Sequence, residues 1–259
     1  EDNQNFIFTF EENLILMTWD VEKILFLDIE TVPQVASLGE FSDEMQQLWN
    51  EKSTFIRERN AEKYQEVSSE EIFFQNAGIY SEFGRIICIS VGFFHSKNGK
   101  QLFRKKSFAS DNEKELLEGF SSVLQKFMKS PEYVICGHNI KEFDIPFICR
   151  RMLINRLPLP KCLQISGKKP WETPFVDTME LWRFGDYKNY TSLKLLTAVF
   201  GIPTPKDDID GSQVATVYYK EKNLQRIAHY CEKDVLATAR LYLAYNNLPS
   251  LDDDFIEPA

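Results

Sequence analysis

Between Ile24 and Ile29 every position except Asp28 is apolar, so the segment has no polar face. Such a run predicts a central strand covered by helices on both sides. A second run, Ile86 to Phe94, predicts another strand, and the tip Ser96-Lys97-Asn98-Gly99-Lys100 carries an Asn-Gly turn signal. Gln101 to Ser107 should therefore return antiparallel as a third strand. Asp111 then opens a helix whose Leu116, Leu117, Phe120, Val123, Leu124 and Phe127 fall at three-and-four spacing. Tyr133 to Cys136 reads as a fourth short strand. Asp144 to Leu157 reads as a helix with Ile145, Ile148, Cys149 and Met152 on one face, and Phe175-Val176 ends a fifth strand. The tail is helical: Thr191 to Phe200, closed by Gly201 and Pro203, then Leu224 to about Asn246 with Leu224, Ile227, Ala228 and Cys231 as the buried stripe.

The order is three strands, a helix, a strand, a helix, a strand and closing helices. It predicts an α/β, ribonuclease-H-like three-layer fold, with a mixed sheet that begins as an antiparallel meander and helices on both faces. Residues 22–247 form the expected domain, after an extension over 1–21 and before a tail over 248–259. Phe41 to Ile79, rich in charged and amide side chains around Met45, Leu48 and Trp49, is expected to be a helical insertion, with Ser68-x-x-Glu71 as a capping box.

Composition narrows the class. Of 259 residues, 43% are hydrophobic and 27% charged, ordinary values for a globular domain. The five cysteines lack a C-x-x-C pair and are expected to be reduced thiols. No stretch reaches the roughly 20 apolar residues that cross a membrane, so a cytoplasmic protein is expected, and Met17 is the expected native start. The net charge of −9 argues against a protein that coats duplex nucleic acid. A nuclease that grips a few terminal nucleotides through cations remains compatible with it.

The chemistry sits in acids that end core elements. Asp28 and Glu30, two apart on a strand, share a face above Ile24 and Phe26, at the C-terminal edge where open α/β sheets place ligands. An exposed strand end before Thr31-Val32-Pro33 is the competing reading. Asp144 precedes Ile145-Pro146 and fits a helix cap as well as a metal ligand. Tyr230 and Asp234, four apart on a helix, make a weak motif alone.

Taken in order, Asp28-Ile29-Glu30-Thr31, then Gly137-His138-Asn139 with Phe143-Asp144-Ile145-Pro146, then Tyr230-x-x-x-Asp234 resemble the three exonuclease motifs of the DEDD (DnaQ-like) superfamily, in its Tyr subgroup. Ala77 to Arg85, Ser192-Leu193-Lys194-Leu195 and Asp210-Gly211-Ser212-Gln213-Val214 resemble the stand-alone family related to the proofreading domain of family-B DNA polymerases. The resemblance spans roughly residues 22 to 245. It implies a 3′-5′ exonuclease with two divalent ions, Mg²⁺ or Mn²⁺, straddling the terminal phosphodiester. In that likeness Asp28 bridges both ions, Glu30 and Asp234 hold the water-activating one, Asp144 assists the second through water, and Tyr230 orients the attacking water. The expected partner is a nucleic acid 3′ end, single-stranded DNA ahead of RNA, although no local motif reports the 2′-hydroxyl. A silent nucleic-acid-binding module, an exoribonuclease and a metal phosphatase are the alternatives.

Other constellations carry less. Lys206 to Val217 fails as a calcium loop at both end positions, and a surface turn is expected. Asp177 suits a cap of the helix from Thr178 rather than a ligand, and His95, His138 and His229 give no zinc spacing. His138 and Asn139 are candidate substrate contacts, and His229 a surface or packing residue. Phe143, Phe184, Tyr187 and Tyr190 are candidates for touching a terminal base, and Arg150, Arg151, Lys168, Lys169, Lys188 and Lys194 for meeting phosphate.

Overall fold

The computed structural model describes residues 19–188, 190–203 and 209–258. Met17 and the Lys206-Asp207-Asp208 end of the rejected calcium loop lie outside the described residues. Strand β1 (Ile24–Pro33) is buried on both faces, as its lack of a polar side requires. Leu25, Leu27 and Ile29 enter one core cluster, and Ile24 and Phe26 enter another on the opposite side. It lies inside a sheet ordered β5-β4-β1-β2-β3-β6. Here β2 is Gly84–Lys97, β3 Lys100–Ala109, β4 Val134–Gly137, β5 Phe175–Asp177 and β6 Ile256–Pro258. The first three strands form the antiparallel meander, while β4 and β5 run parallel to β1. Asn98 and Gly99 turn the β2–β3 hairpin with φ of 53° and 71°, the left-handed values a two-residue turn of this kind demands.

Helices cover both faces. On one side α4 (Glu113–Phe127) and α5 (Asp144–Ile154) pack Leu116, Leu117, Phe120, Ile145, Ile148 and Met152 onto β1 and β2. On the other, α9 (Leu224–Tyr245) lays Val235, Ala239, Tyr242 and Leu243 across Phe26, Phe94 and Phe103. The short helices α6 (Thr178–Arg183), α7 (Leu193–Val199) and α8 (Val214–Thr216) connect these layers. The result is the α/β, ribonuclease-H-like architecture expected from the element order.

The structure departs from the sequence expectation in four places. The C-terminal tail supplies β6, which pairs in parallel with β3 over Phe103 to Lys105, an edge addition too short to announce itself in sequence. Helix α4 is capped by Asn112, whose Oδ1 accepts from the Glu115 amide at 3.3 Å; Asp111 instead accepts from the Tyr218 hydroxyl at 2.7 Å. The insertion is helical, as α1 (Asp43–Arg59), α2 (Ala61–Tyr64) and α3 (Ser69–Asn76), but Leu48 faces solvent. Its core is aromatic: the Trp49 ring meets Phe73 and Phe83 edge-on at 5.2 and 5.0 Å.

The fourth departure is Arg151, which is buried rather than set to meet phosphate. Its Nε and Nη2 donate to Glu113 at 2.9 and 2.6 Å, and its Nη1 donates to the Ser81 carbonyl at 2.8 Å. Glu113 also accepts from the Ile86 amide at 2.7 Å, so the pair stitches α4, α5 and the start of β2. Removing one partner strands the other charge in the core. Arg151→Ala should therefore lower unfolding free energy in urea by about 3–5 kcal/mol, while Arg150→Ala on the exposed side of the same helix should shift it by no more than about 0.5 kcal/mol.

Candidate active site

At the C-terminal half of β1, Asp28 and Glu30 point to the face that α9 covers. The pairing with β2 shifts between Glu30 and Thr31, so that Glu30 opposes Cys88 and Thr31 opposes Ile86. Such an irregularity bends a strand and re-aims its side chains. The stripe of α9 continues from Val235 to Cys231, whose thiol reaches Asp28 at 3.3 Å to Oδ2 and 3.4 Å to the carbonyl. Asp28, Glu30 and Cys231 offer ligand atoms that all lie within 4.8 Å of one another. Tyr230, the residue before Cys231, and Asp234, one turn farther along α9, meet, the phenol bonded to the carboxylate.

Asp144 arrives from the other layer. It opens α5, yet the helix has no side-chain cap; Oδ1 accepts from the amide of Ile29 at 3.2 Å. The carboxyl thus bridges to β1 between the two strand acids instead of capping its own helix. The loop before it is tightly held. Gly137 ends β4 where a Cβ would lie 2.9 Å from the Leu27 carbonyl oxygen and 2.7 Å from Ile140. Asn139 takes a left-handed φ of 61° and donates its amide to Asp177 at 2.9 Å, and Asp177 also accepts from Lys141 and from Met179 at the start of α6. Asp177 therefore has the capping role read from sequence, and ties the loop down as well.

Burial and like charge dominate the electrostatics. Asp28 keeps a partly open surface yet lies deep in protein; desolvation raises its pKa well above the usual carboxylate range, and Asp234, Glu30 and Asp144 raise it further. Glu30 is shifted the same way, first by burial and then by Asp234. The Asp144 carboxyl is pushed up to about 7 by burial, against the pull of its own and the Ile29 amide. The Tyr230 phenol is raised by burial and then by Asp234, so it stays a hydroxyl. Burial also keeps Cys231 a thiol, a donor to Asp28 rather than a thiolate. Asp28, Glu30 and Cys231 are close enough for one ion to reach all three, and Asp234 and Asp144 add like charge at the same place, a setting that favours a cation.

The remaining candidates scatter around this cluster. His138 spends both ring nitrogens inside the fold, Nδ1 on Thr178 at 3.0 Å and Nε2 on the Thr191 carbonyl at 2.9 Å, and burial lowers its pKa. The Asn139 side-chain oxygen is buried without a partner among the described residues. Phe143 packs half-buried against Phe147 at 5.5 Å. Phe184, Tyr187 and Tyr190 stand exposed, the Arg183 guanidinium lying 5.8 Å from the Tyr187 ring. Lys168, Lys169, Lys188, Lys194 and His229 are also exposed. Sequence reasoning treated Cys231 only as core; its place one residue after Tyr230 was the available signal. Tyr190, whose hydroxyl feels Asp144, Asp177, Asp28 and Asp234, was read only as a base contact.

Comparison with known protein families matches residues 79–254 to a family model described as a predicted 3′-5′ exonuclease related to the exonuclease domain of PolB. The match includes Asp144, Tyr230 and Asp234 and begins after Asp28 and Glu30. No curated protein matches the chain. Among the described residues no helix is long and apolar enough to cross a membrane.

The raised carboxyls set the pH response of the chelator-treated protein. A group protonated in the folded state at a pH where the unfolded chain has lost its proton stabilises the fold at low pH. For Asp144 that contribution is complete below about pH 4 and disappears as pH rises to about 7. Thermal unfolding in chelator should thus show Tm falling across this window, and Mg²⁺ or Mn²⁺ at neutral pH should recover several degrees. Asp144→Asn should flatten the slope. A slope of the opposite sign would contradict the burial of these acids.

Proposed function

Because the chain belongs to the family of predicted 3′-5′ exonucleases related to the exonuclease domain of PolB, we propose that it hydrolyses terminal phosphodiester bonds from the 3′ end of a nucleic acid strand, with two divalent cations held by Asp28, Glu30, Asp144 and Asp234. The observation that supports this best is the meeting of acids from β1, α5 and α9 in one partly buried cleft whose leading electrostatic neighbours are themselves acidic. A fold has little reason to gather such charges unless a cation offsets their repulsion. Mg²⁺ or Mn²⁺ fits the oxygen donors, and when bound would activate water and offset charge on the departing 3′ oxygen.

Each side chain then has a task. Asp28, central in the cluster, is steadied by the Cys231 thiol. Glu30 and Asp234 flank it, and Asp144 is fixed by the Ile29 amide, which leaves its second oxygen for the cleft. Tyr230 keeps its proton and donates, so it orients a water rather than deprotonating it. The Asn139 oxygen, unpartnered among the described residues, and the Tyr190 hydroxyl, in the field of Asp144 and Asp28, are assigned as polar contacts for a terminal nucleotide. The charge of −9 suits an enzyme that grips a strand end locally, with single-stranded DNA as the first substrate to examine.

A 5′-labelled single-stranded oligonucleotide should shorten stepwise from its 3′ end only when Mg²⁺ or Mn²⁺ is present. Asp28→Ala and Asp234→Ala should abolish shortening while thermal unfolding stays cooperative. Tyr230→Phe should slow it about 10–100-fold, the usual cost of losing a group that orients a metal site, with divalent-ion stabilisation kept. No shortening under any metal would favour a silent binding module. Cleavage of small phosphoesters alone would favour a phosphatase.

A further inference from the structure

Beyond the acidic cleft, an apolar opening lies at the far end of α6. It is about 260 Å³ in volume, lined by Leu181, Trp182, Phe184, Phe200, Ala244 and Tyr245. That is less than the roughly 300–1,000 Å³ of sites for drug-sized molecules, and is the room of one planar ring system. The Trp182 and Tyr245 rings are near parallel, 14° apart with centroids 6.2 Å from each other, and Phe200 meets Tyr245 edge-on at 5.2 Å. The hydroxyl of Tyr245 is buried without a hydrogen-bond partner among the described residues, a costly state for an isolated hydroxyl. An occupant with a flat apolar face and a polar edge would satisfy both features.

The segment that joins this pocket to the acidic cleft has the same character. Phe184, on the pocket rim, takes a left-handed φ of 44° and is 79% exposed. Tyr187 and Tyr190 follow, 72% and 66% exposed, and Tyr190 lies in the field of Asp28, Asp144 and Asp234 with its ring 6.5 Å from His138. Phe184 and Tyr190 are six residues apart, so the rim is no more than about 20 Å along the chain from the ring at the cleft. Lys188 is exposed on the same segment, and Arg183, paired with Glu142 at 3.2 Å, lies against the Tyr187 ring, with Asp186 between the two cations. Exposed rings interleaved with cationic side chains are what an unpaired strand is held by.

We infer that the pocket between α6, α7 and the end of α9 takes one unpaired nucleobase of the bound strand, a few nucleotides upstream of the 3′ end, with Phe184, Tyr187 and Tyr190 as the path between. This rests on the exonuclease reading for the strand's direction, and on the pocket alone for the base. Tyr245 gives the base edge its hydrogen bond, and Trp182 and Phe184 give its faces contact. An apolar side chain of a protein partner would fill the space and leave the hydroxyl unsatisfied.

Single-stranded oligonucleotides of two to eight nucleotides, each carrying 2-aminopurine at one position, can be titrated with the wild-type protein in chelator and their shortening timed in Mg²⁺. Quenching should concentrate at one upstream position. Phe184→Ala, at an exposed site, and Tyr245→Phe should weaken binding of the longer strands, Phe184→Ala by about tenfold, a typical loss for one stacked base. Turnover of the dinucleotide, too short to reach the pocket, should not change in Tyr245→Phe. If both variants bind every length as wild type does while wild type shortens them all, the pocket inference is wrong and the exonuclease reading stands. Upstream quenching without shortening in any metal would leave the pocket and remove the hydrolytic reading. A protein that neither binds nor shortens any strand removes both.

Discussion

Like-charge repulsion at the end of β1 is the constraint around which the rest of the molecule is arranged. Carboxylates this close, in surroundings this dry, would separate or swell with water if their backbones were free to move. They are not free. Asp28 and Glu30 hang from a strand bonded on both edges and buried on both faces. Asp234 is carried by a 22-residue helix packed across that strand, and Asp144 is pinned to the Ile29 amide. The hydrophobic core supplies the rigidity that holds the acids together, and this stored repulsion is the basis of the proposed cation site.

Support for the cleft comes in separate layers. Cys231 steadies Asp28 from α9, and regular strand alternation up to Glu30 puts that carboxyl on the same side, the register shifting only past it. Asp177, itself buried, accepts four amides or more from the loop after β4 and the start of α6, so one carboxylate fixes both the approach to Asp144 and the direction of α6. That direction leads toward the aromatic pocket. Farther off, the Arg151–Glu113 pair locks α5, the element that delivers Asp144, to α4 and β2. A buried ion pair of this kind is poor as a source of net stability but strict about geometry.

The helical insertion α1–α3 has its own aromatic core and adjoins β1 through Ala77 and Phe83 at the end next to the acids. Its contribution to the cleft is to brace Gln34 and Val32, the continuation of β1 past Glu30, since the Gln34 amide donates to the Phe83 carbonyl at 2.8 Å.

What could be read from residues alone was whatever depends on local periodicity. The apolar run at Ile24 to Ile29, the Asn98-Gly99 turn and the three-and-four stripes of α4 and α9 each encode their element without reference to the rest of the chain. So do the candidate acids, because Asp28 with Glu30, and Tyr230 with Asp234, are set on common faces by strand and helix spacing. Tertiary structure decided what depends on long-range approach. Whether Asp144 caps its own helix or reaches β1 is a choice between two amides, and only packing brings Ile29 within range. Arg150 and Arg151 are neighbours of identical type, and only the position of Glu113, 38 residues away, makes one buried and the other exposed. The β6 edge, the Cys231–Asp28 contact and the pocket beside Tyr245 join residues too distant in sequence for any local pattern to couple them.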